Sequence, residues 1–211
     1  MKVASWTQRI AKGAARTAPE WGVAFALVVL MGGLQMLSPW LFDDLAYHRP
    51  AMTEQAQWWR LWSAHLVHWT PYHYGLNALG LLVWVLLCPR RWSLWQWAGV
   101  LAFLGGSVSL WLLVAQPEMT RYAGFSGVLH GLFVLGLVPQ VARREGIAAL
   151  CLLYLVVKIL WEQASGAPLS DAERIGAAVA TDAHLAGAMA AAVVLLLDYF
   201  KRQGLSTRRG H

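Results

Sequence analysis

The sequence predicts an all-α, polytopic membrane protein, a bundle of six transmembrane helices with both ends of the chain on the cytoplasmic side. Three observations predict it. Of 211 residues, 58% are hydrophobic and 13% charged, about half the charged fraction of an ordinary soluble domain. Apolar runs of about the 20 residues needed to cross a bilayer fall at 21–41, 72–89, 93–115, 124–142, 146–163 and 178–199. Basic residues collect in alternate connections, as expected when Lys and Arg stay on the cytoplasmic side.

Taken in order, the first 20 residues carry Lys2, Arg9, Lys12 and Arg16. They lack a separate short apolar region with a small-residue cleavage site, so they read as a basic cytoplasmic tail and not a removable signal. The span 21–41 leads into an outer connection over 42–70, aromatic and moderately polar, expected to pack on the bundle or lie in the interface. Within it, Arg60 is expected to tether the loop through backbone carbonyls or a carboxylate. His68 is expected to fix the loop and His65 to sit in the interface. The span 72–89 returns to Arg90 and Arg91, and 93–115 leads outward to a connection holding Glu118 and Arg121. The span 124–142 returns to Arg143 and Arg144. In 146–163, Lys158 lies near the outer end, where it is expected to snorkel. The span 178–199 ends at Lys201 and Arg202. The organisation is a tail over 1–20, a membrane domain over 21–200 and a basic cytoplasmic tail over 201–211.

This asymmetry accounts for the net charge of +6. No basic stripe interleaved with aromatics suggests nucleic acid as a partner. Many of the 13 tryptophans, among them Trp21, Trp40, Trp58, Trp59, Trp62, Trp92, Trp95 and Trp97, lie near span ends, where indole favours the headgroup region. Cys88 and Cys151 lie in or near cytoplasmic halves of spans, a poor setting for a disulfide.

Polar groups inside apolar spans are candidate functional groups, because hydrocarbon leaves them unsatisfied. His73, Asn77, His130 and His184 qualify, and Ser126 joins them through its flanking glycines. His73 precedes Arg90, Ser126 precedes Arg143 and His184 precedes Lys201 by 17 residues each. At 1.5 Å rise per residue, all three stand roughly 25 Å above the inner boundary of a core about 30 Å thick. Asn77 shares a helix face with His73, and His130 shares one with Ser126, by the spacing of four.

A serine hydroxyl becomes a nucleophile when a base accepts its proton, and His184 is the base at matching depth. Donors aimed at a developing oxyanion are available from His73, Asn77 and the Ser126 N–H. Gly124 and Gly127 allow a tight turn into the helix and a close approach of substrate or a neighbouring helix. Asp182, two residues before His184, points to another face, so a Ser-His dyad is expected, with ring packing or another hydrogen bond orienting the imidazole. His65, His68 and His73 do not form a recognised metal pattern, and neither a metal nor a cofactor is expected.

Gly124-Phe-Ser-Gly127, Ala183-His-Leu-Ala-Gly187 and His73-Tyr-Gly-Leu-Asn77, with the pair Trp59-Arg60, resemble the motifs of the rhomboid intramembrane serine proteases. The resemblance implies a rhomboid-like bundle in which Ser126 is the nucleophile, His184 the general base and acid, and His73 and Asn77 parts of the oxyanion hole. The sequence departs from the family at His130, where tyrosine is common and stacks on the catalytic imidazole, and at Ala191, where glycine is usual.

The run Tyr122-Ala-Gly-Phe-Ser-Gly-Val-Leu-His-Gly131 resembles the rhombosortase branch. That branch implies substrates that are single-span exported proteins with a glycine-glycine-type C-terminal tail, cleaved near the periplasmic face of a bacterial inner membrane. The rival expectations are a catalytically silent rhomboid-like protein that binds transmembrane helices, a general rhomboid protease with other substrates, and a small transporter. The last predicts repeated halves with polar groups near the midplane, and the sequence has neither.

Overall fold

The computed structural model describes residues 6–88, 90 and 92–208, with side chains over 20–88, 90 and 92–201. The charged side chains of both expected tails, Glu20 and Lys201 apart, and that of Arg91 therefore lie outside the described residues. Among the described residues the regular structure is helical apart from one minimal ladder, in which Tyr47–His48 pairs antiparallel with Arg121–Tyr122. Its elements are α1 (Trp6–Met36), α2 (Ser38–Leu45), β1 (Tyr47–His48), α3 (Arg49–Thr53), α4 (Arg60–Ser63), α5 (Pro71–Leu87), α6 (Leu94–Ala115), β2 (Arg121–Tyr122), α7 (Ser126–Ala142), α8 (Gly146–Ser165), α9 (Ala172–Ile175) and α10 (Thr181–Arg208).

Helix boundaries follow local chemistry. Thr70 caps α5 by accepting from the His73 N–H, with Pro71 at the first helical position, where its missing N–H costs nothing. Ser93 and Gln96 form a reciprocal capping box at the start of α6. Gly166, left-handed at φ 66°, closes α8.

The helix α1 runs without a break from Trp6, well before the expected start at 21. The span predicted over 21–41 does not run straight either: α2 turns away from α1 by 109°. Pro39 stands in the first turn of α2, where its ring fits a new helix and opposes continuation of the old one.

Among the described residues, three helices are long and apolar enough to cross a membrane by themselves: α6, α8 and α10 over Thr181–Lys201. The bent pair α1–α2 makes a fourth if it counts as one span, and α5 and α7 are shorter apolar helices of 17 residues each. The chain is thus a multi-pass membrane protein. At its centre stands α7, where ten of 17 residues are buried, against four of 20 in α8. α10, α8, α5 and α6 all pack on α7, and its residues Val128, Leu132, Leu135 and Leu137 join Leu81, Trp84 and Leu104 in the main core. Trp97 is not an interfacial anchor: it is buried against Trp84 and Trp92, with ring centroids 5.2 and 5.0 Å away.

Candidate active site

Two helices of this bundle, α7 and α10, meet glycine on glycine. A Cβ on Gly187 of α10 would lie 1.9 Å from the carbonyl oxygen of Gly127 on α7, and one on Gly131 would lie 2.7 Å from that of Gly187. Only residues without a side chain let two backbones meet this way. One turn toward the start of each helix, that contact places the Ser126 hydroxyl 3.0 Å from His184 Nε2.

Behind the imidazole lies a charged cluster. His184 Nδ1 donates to Glu162 Oε2 at 2.8 Å, and the Lys158 ammonium donates to Glu162 Oε1 at 2.6 Å. Lys158 Nζ also stands 3.1 Å from His130 Nε2 and 3.3 Å from His184 Nδ1. The His130 ring stacks on that of His184, centroids 4.0 Å apart and 13° from parallel, while its Nδ1 donates to the Ser126 carbonyl at 2.7 Å. The Glu162 side chain is fully buried and that of Lys158 is 15% exposed.

The segment leading into Ser126 is pinned from several sides. Gly124 has φ 129°, a region that disfavours any side chain, and a Cβ there would strike the His73 ring at 2.5 Å. Its N–H donates to the Ala64 carbonyl. Its own carbonyl accepts from the Tyr122 hydroxyl at 2.8 Å and from His65 Nδ1 at 3.3 Å. No side chain caps α7 at Phe125, so the Ser126 N–H at the start of the helix remains available to an anion. Ser126 borders a cavity of about 510 Å³ lined also by Trp69, His73, Tyr122, Val179 and Ala180, among others.

Chemically the arrangement offers a hydroxyl with a base in contact, an acid behind the base, and N–H donors beside an open cavity. A model of the rhomboid domain matches residues 55–200 of the chain. The chain belongs to the rhomboid domain family. Rhomboids are in general intramembrane serine proteases. A search of curated proteins gave no match.

The rhomboid domain begins after α3 and holds every side chain of the site. The structure brings Ser126, His184, His130 and His73 around one point, with Gly124 and Gly127 at the turn and the helix contact. Asn77 is buried on the same helix as His73, and its amide donates to the His73 carbonyl at 3.1 Å. Arg60 tethers the first loop as expected, donating to the carbonyls of Asp43 and Ala46 at 2.7 and 2.6 Å.

His65 is not interfacial. It is buried, with Nε2 2.9 Å from the Gly105 carbonyl and 3.0 Å from Ser109 Oγ, because the loop folds inward onto α6. Burial pushes its pKa down. His68 holds its loop by packing and not by hydrogen bonds: its ring meets those of His73 and Tyr74 edge-on, and neither nitrogen has a partner. Burial, helped by the charges of His73 and His65, pushes its pKa down to about 3.

Lys158 does not snorkel; Glu162 draws it inward. Glu162 itself was not expected at the site, yet the sequence carries a signal for it. It lies 18 residues beyond Arg144, about 27 Å by helical rise and so level with Ser126 within a turn. It also follows Lys158 by four, the spacing of a helical ion pair. His130, Glu162 and His184 have the donor types of a metal site, with ligand atoms within 4.8 Å of one another. The Lys158 ammonium stands beside all three, so the cluster carries its own cation.

Proposed function

We propose that this rhomboid is an intramembrane serine endopeptidase of rhombosortase type. Ser126 is its nucleophile and His184 its general base and acid. The observation that carries this reading is the 3.0 Å contact between the Ser126 hydroxyl and His184 Nε2 beside an open cavity. The site belongs to a six-span bundle with both termini in the cytoplasm and the cavity toward the periplasm of a bacterial inner membrane. The helices α5 and α7, about 26 Å each by helical rise, lie within the range of spanning lengths, and the alternation of basic residues along the sequence supports the orientation.

In the reaction, Ser126 Oγ attacks the substrate carbonyl carbon as its proton passes to His184 Nε2. The tetrahedral oxyanion is held by the Ser126 N–H, by His73 and by Asn77, which keeps a second amide hydrogen beyond the one given to His73. His184 then returns its proton to the leaving amine, and water entering by the cavity releases the acyl group along the same route. His130 supports the base by ring contact, and Gly124 and Gly127 allow the backbone approach.

The substrates are single-span membrane proteins with a glycine-rich C-terminal tail. Glycines weaken a helix, so such a tail presents the extended backbone that a protease requires, and the cavity wall includes the small residues Ala177, Ala178 and Ala180. The test is co-expression with two reporters that differ only in the tail, one with a glycine pair and one with leucines in its place. The parent chain cleaves the glycine reporter, and Ser126→Ala and His184→Ala, at equal protein levels, do not. Cleavage that persists in Ser126→Ala overturns the proposal; equal cleavage of both reporters by the parent leaves a rhomboid protease of broader specificity.

A further inference from the structure

We infer that Glu162 is the positioning residue that fixes the tautomer of His184, and that Lys158 dictates which atom residue 162 turns toward the ring. The inference rests on the reading of Ser126 and His184 as nucleophile and base. It turns the expected dyad into a Ser-His-Glu arrangement whose acid comes from α8.

The setting demands an explanation. Few residues of α8 are buried, and charged side chains on a membrane helix are costly unless they pair. Yet α8 carries a carboxylate and an ammonium, and both face the bundle interior. They enter as a pair of zero net charge, which lowers the cost without removing it.

The hydrogen-bond inventory points to one assignment, in which the 2.8 Å contact of His184 Nδ1 with Glu162 outweighs its 3.3 Å contact with the Lys158 ammonium. A carbonyl only accepts, a carboxylate only accepts and an ammonium only donates. His130 Nδ1 contacts the Ser126 carbonyl, so that nitrogen carries hydrogen, and Nε2 accepts from Lys158. Glu162 spends Oε1 on Lys158 and turns Oε2 to His184 Nδ1, so the hydrogen of His184 lies on Nδ1. Its Nε2 lone pair then faces the Ser126 hydroxyl. In the opposite tautomer an N–H would face that hydroxyl and no base would be present. When His184 takes the serine proton both ring nitrogens carry hydrogen, and the carboxylate remains in place to accept from Nδ1 without being protonated.

Glutamine at position 162 exposes the part played by Lys158. The ammonium needs an acceptor and takes the amide oxygen, which leaves the NH2 facing Nδ1 and drives the hydrogen to Nε2. Removing Lys158 frees the amide to rotate, and its oxygen again accepts from Nδ1. A charge removal that harms the parent chain therefore repairs the Glu162→Gln variant.

The test uses the full chain in detergent micelles, labelled with 15N-histidine, with the His184 signals identified by their loss in His184→Ala. The parent shows hydrogen on Nδ1, Glu162→Gln shows it on Nε2, and Glu162→Gln/Lys158→Met returns it to Nδ1. A fluorophosphonate probe supplies a second readout. Glu162→Gln labels Ser126 about 100- to 10,000-fold more slowly, the scale of a wrong-tautomer defect, and the double variant recovers at least about tenfold. Lys158→Met alone labels more slowly than the parent.

The double variant holds no charge at 158 or 162, so it reads the prediction even where a lone unpaired group impairs folding. Hydrogen on Nε2 in the parent, or parent-like labelling by Glu162→Gln, overturns the inference while leaving the protease reading intact. A parent with hydrogen on Nδ1 that neither labels nor cleaves overturns the protease reading while leaving the positioning role intact.

Discussion

Two buried polar clusters lie side by side in this bundle, and they are built in opposite ways. In the loop cluster, cationic or imidazole side chains bond mainly to main-chain carbonyls. Arg49 reaches those of Leu112, Leu113, Gln116 and Met119 at the end of α6, Arg60 those of Asp43 and Ala46, and the His65 ring lies between those of Gly105 and Gly124 with its one N–H for either. In the helix cluster, Ser126, His184, Glu162, Lys158 and His130 bond chiefly to one another, from three separate helices. A carbonyl cannot exchange a proton, so the first cluster fixes position. Side chains that donate and accept among themselves can pass a proton on, so the second suits chemistry. Between them lies the turn at Gly124, held by the loop cluster on one side and ending at Ser126 on the other.

The contrast is sharpest if damage to the two clusters separates activity from stability. The largest expected effect is on the helix cluster: Ser126→Ala lowers reporter cleavage at least about 1000-fold, with thermal unfolding in micelles unchanged. Equal losses of cleavage and unfolding temperature would erase the distinction. Next comes the contact that joins the helices. In Gly187→Ala the new methyl meets the Gly127 carbonyl and forces α7 and α10 apart. A displacement of about 1 Å at the base costs about 100-fold in cleavage, beside a loss of about 3 kcal/mol in stability.

In the loop cluster the order reverses. Arg60→Ala leaves the Asp43 and Ala46 carbonyls without their donor and lowers stability by about 2–4 kcal/mol, while labelling per folded molecule falls less than tenfold. The smallest effect is set by pH. Burial lowers the pKa of His65, and lowers that of His68 to about 3, whereas in the unfolded chain both bind protons near 6.5. Below about 6.5 the unfolded state binds more protons, so stability is complete above that pH and declines as pH falls toward 3. The slope is at most about 1.4 kcal/mol per pH unit for each histidine. Unfolding temperatures measured at pH 7.5, 6 and 5, for the parent and for His68→Phe, check this: the variant shows the weaker decline.

Much of this was legible in the sequence because hydropathy and charge act locally. Four of the six apolar runs coincide with α5, α6, α7 and α8 within a few residues, and the last with the start of α10, which continues to Arg208, since capping residues such as Thr70 and Ser93 stand where the runs begin. The first run was misread because its apolar character continues through Pro39, and a proline that starts one helix looks like an interruption of another. Equal depth grouped Ser126, His184 and His73, because helical rise is fixed by the backbone; the structure has the first two 3.0 Å apart and His73 on the same cavity wall as Ser126.

What the sequence hid was direction. Lys158 and His65 are amphipathic side chains near a boundary, where snorkelling outward and pairing inward leave the same local pattern. Only the partner, Glu162 for one and the Gly105 and Gly124 carbonyls for the other, decides between them. Trp97 was hidden for the same reason, since an indole near a span end can face headgroups or, as here, two other indoles.

The measurement closest to the central claim is mass-spectrometric location of a fluorophosphonate adduct on the full chain. The account predicts one adduct, on Ser126, in the parent and in Arg60→Ala, and none in His184→Ala. An adduct on Ser126 that forms at the same rate without the His184 imidazole, or its absence from the folded parent, would contradict it.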